Sequence, residues 1–226
     1  MLPTYAAVHK FSVLKAQKIQ LSLSKKIIAE DQRPQKIELI AGVDVAYTKE
    51  QAIGAVAVLN YKTLELLEKR SATCQVKFPY IPTLLSFREI PPAVACIKKL
   101  RRQPDVLLVD GHGAAHPYGC GFASYLGLVI GKSTVGVAKS ILVGESKIIA
   151  GQEFLIHKDQ IIGAVVTTKD GSKPVYVSVG HLTSLEKAVK IVKHCVCNTR
   201  IPKPILEAHN IAAEERRKVQ EKNKTL

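Results

Sequence analysis

Residues 37–47 read IELIAGVDVAY, an almost unbroken apolar run carrying one aspartate, Asp44, between Val43 and Val45. Such a run is expected of a strand covered on both faces, as in the central strands of a mixed or parallel sheet. A buried carboxylate without a partner costs several kcal/mol, so Asp44 must meet a cation, a donor or a metal there. Downstream, residues 53–61 (IGAVAVLNY) read as a second strand, and residues 64–76 hold a third with a mixed period. Upstream, residues 11–30 contain few helix breakers and set Leu14, Leu21 and Ile28 seven apart, which predicts a helix with one apolar stripe ending at Arg33-Pro34.

After the three strands come a proline-punctuated loop (78–82) and a short helix at 83–89, which Pro91-Pro92 should break before starting another. Residues 106–109 (VLLV) form a short strand running into Asp110-Gly111, followed by a glycine-rich loop to Gly121, a helix at 122–130 and a strand at 134–137. Two strands, 161–168 and 175–179, flank the hairpin signal KDGSK. Thr183 with Glu186 makes a capping box opening a helix to about Cys195, and a charged helix begins near Ile205 and Leu206 after the stiff IPKP connector. The order of elements favours one mixed-sheet α/β domain over residues 1–226, with no repeat and no linker.

Composition narrows the function. Thirty-three Lys and Arg against nineteen Asp and Glu give a net charge of +14. The C-terminal run 214–224 holds five basic and three acidic residues, so most of the excess lies on the rest of the chain. A basic domain of this kind suits polyanions. No apolar run is long enough for a membrane span, and residues 1–10 lack a secretory pattern, so a cytoplasmic protein is expected. Five scattered cysteines point to reduced, buried thiols; the Cys195–Cys197 pair has no second pair to complete a zinc site.

Asp110 ends an apolar strand and precedes a glycine, the position where α/β sheets present ligand-binding groups. Two carboxylates at adjacent strand positions repel unless a cation lies between them, and hard oxygen donors favour magnesium or manganese. In a basic protein such a centre suggests phosphodiester chemistry. Glu89 alone would pass for a solvated helix residue, Lys139 for a surface lysine, and His209 for an idle one. The stretch PYIP (79–82) alone would be a rigid turn with a packed tyrosine.

In this order, AGVDVAY (41–47), FPYIPTLLSFRE (78–89), VDGHGAAHP (109–117), GFASYLG (121–127) and TVGVAKS (134–140) resemble the endonuclease V family, and the likeness continues to PKPILEAH (202–209). The resemblance implies a ribonuclease H-like fold and metal-dependent cutting of nucleic acid at deaminated adenine, at the second phosphodiester bond 3′ to inosine or hypoxanthine. The products would carry 3′-hydroxyl and 5′-phosphate ends. It implies Asp44, Glu89 and Asp110 as metal ligands, Lys139 as the catalytic lysine and His209 as a histidine near the metal. Pro79, Tyr80, Ile81 and Pro82 match a wedge that fills the place of the extruded base. Leu85, Gly111, Gly113, His116 and Gly121 are expected at the nucleic acid. Backbone amides of the glycine loop are expected to read hypoxanthine, since glycine lets backbone approach a flipped base.

Magnesium is the expected cofactor, with manganese substituting. The expected partner is inosine-bearing nucleic acid, DNA favoured and RNA also open, and a monomer is expected. The chain departs from the family at Thr83 (usually glycine), Tyr118 and Leu206 (often arginine). Two rivals stand beside this reading: a structure-selective nuclease with the same centre, and a non-enzymatic basic binding domain.

Overall fold

A computed structural model describes residues 12–31 and 36–222. The apolar run around Asp44 is β1 (Leu39–Tyr47), paired antiparallel with β2 (Gln51–Asn60), which pairs antiparallel with β3 (Leu66–Gln75). On the other side of β1, β4 (Val106–Asp110) and then β5 (Ser133–Ala138) run parallel to it. Three further strands, β6 (Glu145–Ile149), β7 (Gln152–His157) and β8 (Gln160–Val166), form a meander ending in β9 (Val175–His181), which pairs antiparallel with β5. One nine-stranded sheet results, in the order β3-β2-β1-β4-β5-β9-β8-β7-β6.

Five helices are described: α1 (Val13–Ser24), α2 (Ser86–Ile97), α3 (Phe122–Ile130), α4 (Leu185–His194) and α5 (Lys203–Lys222). Alternation along the central strands sends Ala41, Val43, Leu107 and Val109 into one core with α2 and α3. Ile40, Val106 and Leu108 go into the other, under α4 and α5. The mixed α/β sheet flanked by helices is therefore the architecture expected from the sequence. Among the described residues no helix is long and apolar enough to cross a membrane.

Several boundaries differ, each for a physical reason. Helix α1 ends at Ser24, and its buried residues are Ala16 and Gln20, while Leu14 is 69% exposed and Leu21 47%. The seven-residue stripe faces outward because α1 is docked by the buried Gln20 amide, described below, and Ile28 falls beyond the helix. Phe11, the Arg33-Pro34 stop and residues 1–10 lie outside the described residues. Pro91 and Pro92 sit inside α2 rather than breaking it. Only one turn precedes them, and that turn is held by short bonds, Phe87 N–H to Leu84 O at 3.2 Å and Arg88 N–H to Leu85 O at 2.9 Å. The helix thus begins at Ser86, not Thr83.

The cap of α4 is Ser184, whose hydroxyl accepts from Lys187 N–H, while Thr183 is fully buried. Helix α5 starts at Lys203, a little ahead of the expected site, with Pro204 in its first turn where no amide partner is required. Strands β6 and β7 had no counterpart in the sequence reading: every residue of β6 is exposed, so no alternation marks it. Cys96, Cys120 and Cys195 are buried thiols as expected, but Cys74 is half-buried and Cys197 exposed.

Candidate active site

Strand register puts the two aspartates together. Val43 pairs with Val109 across the parallel β1–β4 ladder, so the next residues, Asp44 and Asp110, stand side by side and point to the same face. That face is covered by α5, which lies close because Gly42, two residues before Asp44, has no side chain. A Cβ on Gly42 would fall 1.8 Å from the Pro204 carbonyl oxygen. From Pro204 to His209 a helix rises about 7.5 Å, and from Gly42 to Asp44 a strand advances about 6.6 Å. The contact at Gly42 therefore delivers His209 over Asp44, and its Nδ1 lies 2.8 Å from Asp44 Oδ2. Asp44 Oδ1 also accepts from Val45 N–H at 2.8 Å, which supplies the partners its burial demands.

Glu89 reaches the same place from the opposite layer, on the first turn of α2. Its carboxyl is buried, and burial first, then the charges of Asp44 and Asp110, raise its pKa to about 8. Asp110 is shifted in the same direction by burial and by Asp44, opposed by Lys139. Lys139, just past β5, donates from Nζ to Asp110 Oδ2 at 2.5 Å. Ligand atoms of Asp44, Asp110 and His209 lie within 4.8 Å of one another, the spacing of a metal-binding group. Glu89 is outside that trio but within electrostatic reach of both aspartates.

Crowded carboxyls of this kind set a pH dependence. Glu89 holds its proton in the folded state far above its ordinary 4.5, so the stability its protonated form confers is lost as pH rises through about 8. His112 and His116 oppose this only at lower pH. Burial holds both near 4, helped at His112 by the nearby His116, so they lose stability as pH falls from 6.5. Between pH 6.5 and 8 the carboxyl effect stands alone. The melting temperature of chelator-treated protein is expected to fall across that window, and Glu89→Gln to flatten the fall. A flat wild-type profile there would contradict the crowding.

Beside the carboxylates opens a cleft of about 350 Å³ whose lining includes Glu89, Asp110, Gly111, His112, His116 and Phe122. Of the residues expected at nucleic acid, Tyr80, Pro82, Leu85 and Gly121 also line it. Tyr80 is 69% exposed, at the tip of a loop that Phe78 anchors by stacking on Phe87, ring centroids 5.3 Å apart. Pro79 and Ile81 belong to that loop but not to the lining. Gly113 is elsewhere: a Cβ there would fall 2.1 Å from the Val179 carbonyl oxygen, so this glycine lets the loop lie on β9. The amides of Gly111, Gly113 and Gly121 already donate to Val137 O, Ser178 Oγ and Gly113 O. Those three amides are thus spoken for by β5, β9 and the loop itself, and a base edge would be met by other groups.

His116 is buried, with Nδ1 accepting from Tyr118 N–H at 3.2 Å and Nε2 2.8 Å from the Thr83 carbonyl oxygen. A neutral ring protonated on Nε2 satisfies both, in keeping with its lowered pKa. Thr83 itself has φ +71. A β-branched residue in this left-handed region carries strain of about 1–3 kcal/mol. Sequence reasoning missed three neighbours of the cleft: His112, whose buried Nδ1 has no hydrogen-bond partner, Ser86, and Gln20 behind it. The one available signal for Gln20 was its spacing of four from Ala16 on α1.

Comparison with known proteins gives the family by sequence and by fold. The family model described as Endonuclease V matches residues 21–210. The endonuclease V of Thermofilum pendens is 41% identical over 201 residues, covering 88% of this chain and 87% of that protein. The crystal structure of endonuclease V from Streptomyces avermitilis superposes with a TM-score of 0.86 at 31% identity, over 92% of this chain and 95% of that one. A Ciona intestinalis endonuclease V variant, crystallised with a 23mer DNA containing an inosine followed by a ribo-adenosine, is 31% identical with a TM-score of 0.83. That match covers 92% of this chain and 98% of the other.

Proposed function

Because this chain belongs to the endonuclease V family, we propose that Asp44, Glu89 and Asp110 form the reaction centre of a magnesium-dependent endonuclease acting at deaminated adenine. Inosine-bearing DNA is the favoured substrate. The cut is at the second phosphodiester bond 3′ to the lesion, leaving 3′-hydroxyl and 5′-phosphate. The observation that carries this reading is the meeting of two strand aspartates, a buried glutamate, Lys139 and His209, with Glu89 and Asp110 also lining a cleft, in a basic protein.

The donor set fits a hard divalent cation: carboxylate oxygens from Asp44 and Asp110, with Glu89 adjoining and His209 close beside them. Bound there, magnesium supplies an activated water and stabilises charge on the leaving oxygen. The chain's own groups do the rest. The Asp44 carboxylate fixes the His209 ring, leaving Nε2 of a half-exposed imidazole to orient a water. Lys139 holds a positive charge against Asp110 and is placed to offset charge on the phosphate. Tyr80 offers an exposed flat face for stacking where a base has been turned out, and the neighbouring cleft receives that base.

The deciding experiment compares cutting of DNA and RNA oligonucleotides, each with and without one inosine, in magnesium, manganese and chelator. Strong preference for the inosine DNA, with cutting abolished by chelator, is expected. Equal cutting of undamaged strands would favour a structure-selective nuclease instead, and no metal-dependent cutting of any strand would leave only a binding role.

A further inference from the structure

The buried amide of Gln20 joins the two walls of the cleft, and we propose that it is a positioning residue that presets the base pocket by clamping Thr83. The inference rests on the functional reading above. Gln20 is 0% exposed, an unusual state for a side chain with four polar hydrogen-bonding sites. Its Nε2 lies 3.1 Å from Thr83 O, 3.0 Å from Cys120 O and 3.3 Å from Ser86 Oγ. Thr83 belongs to the segment following the tyrosine loop, Ser86 begins α2, and Cys120 belongs to the glycine loop. The turn before α2 and the glycine loop are thereby fixed to one another by a third element, α1, whose Gln20 lies 63 residues before Thr83 and 100 before Cys120.

The Thr83 carbonyl receives a second contact from His116 Nε2, at 2.8 Å. Two donors thus hold the carbonyl of a residue whose backbone, at φ +71, a threonine rarely adopts. Left to itself the 82–84 turn would relax toward negative φ, rotating this peptide and reshaping the wall that faces the base. Thr83, Ser86 and His116 all line the cleft, so the clamp acts on groups that meet the substrate although Gln20 does not. Glycine occupies this left-handed conformation without a Cβ penalty, so a glycine at 83 would not need the clamp. A threonine there makes the pocket narrower and makes its shape depend on α1.

Removing the amide should weaken engagement of the lesion rather than the chemical step. In single-turnover cleavage of an inosine-containing DNA duplex, Gln20→Met is expected to raise the half-saturating enzyme concentration about tenfold, as loss of one to two hydrogen bonds implies. The maximal rate should stay within about threefold. Adding Thr83→Gly to Gln20→Met should recover most of that loss. Recovery by glycine is the result a merely structural role for Gln20 does not give. No recovery in the double variant, or a loss confined to the maximal rate, would overturn the clamp. Should Gln20→Met fail to fold, Gln20→Asn keeps an amide withdrawn by one methylene and is expected to show the same split and the same rescue. The wild-type arm separates the two levels of inference: wild-type protein indifferent to inosine would sink the functional reading, whereas inosine-dependent wild type with unaffected Gln20 variants would sink only the clamp.

Discussion

Replacing Asp110 or Asp44 with alanine is expected to lower cleavage of an inosine-containing strand by about a thousandfold or more, the loss of several kcal/mol of transition-state stabilisation. Affinity for the strand, measured in calcium or without metal, should stay within about threefold, because binding rests on the basic surface and not on the carboxylates. The two variants should fold at least as well as the parent. Each removes a negative charge from a crowded group in which Glu89 and Asp110 are pushed toward holding their protons. Each also releases a partner, His209 at Asp44 and Lys139 at Asp110, which limits the gain in melting temperature. Cutting at normal rates by both variants would dismiss the proposed centre; loss of cutting together with loss of binding would mean that the aspartates act by shaping the surface.

Gly42→Ala is the second large effect, and it involves no reactive group. The added Cβ would meet the Pro204 carbonyl oxygen at 1.8 Å and Ile205 N at 2.5 Å, both backbone atoms that cannot rotate aside. Helix α5 must therefore back away from β1. Overpacking against backbone is expected to cost about 3 kcal/mol or more, which lowers the melting temperature of a chain this long by roughly 6–12 °C. His209 rides on the displaced helix, and a misplacement of about 1 Å at a reacting centre lowers the rate by on the order of a hundredfold. The coupled drop in melting temperature and rate is the signature to seek. A variant melting within about 2 °C of the parent and cutting normally would mean that α5 does not take its height from Gly42.

Much of this was legible from periodicity and residue type. The core strands announce themselves because burial on both faces demands continuous apolar runs, and Asp44 stood out against such a run. Asp110 was marked by its place at a strand end before glycine. Glu89 could not be read that way, since its burial is created by α2 packing on the face of the sheet; nothing within SFRE distinguishes it from a solvated glutamate. The pairing of His209 with Asp44 spans 165 residues and depends on a helix height set by a glycine. Leu14 and Leu21 face solvent because α1 buries the side that carries Ala16 and Gln20, which no apolar stripe marks. Strands β6 and β7 were invisible because an exposed edge hairpin imposes no apolar rhythm.

The seating of His209 by the last helix has a consequence during synthesis. Strands β1 and β4 and helix α2 leave the ribosome with their acidic groups long before α5 follows, and a domain folds as a unit. Until Lys203 and the residues beyond it have been made, Gly42 is uncovered and Asp44 lacks its imidazole partner. A nascent or prematurely terminated chain is therefore an unfinished blade: the acidic groups of the proposed centre are made, but the imidazole and the helix that seats it are still missing.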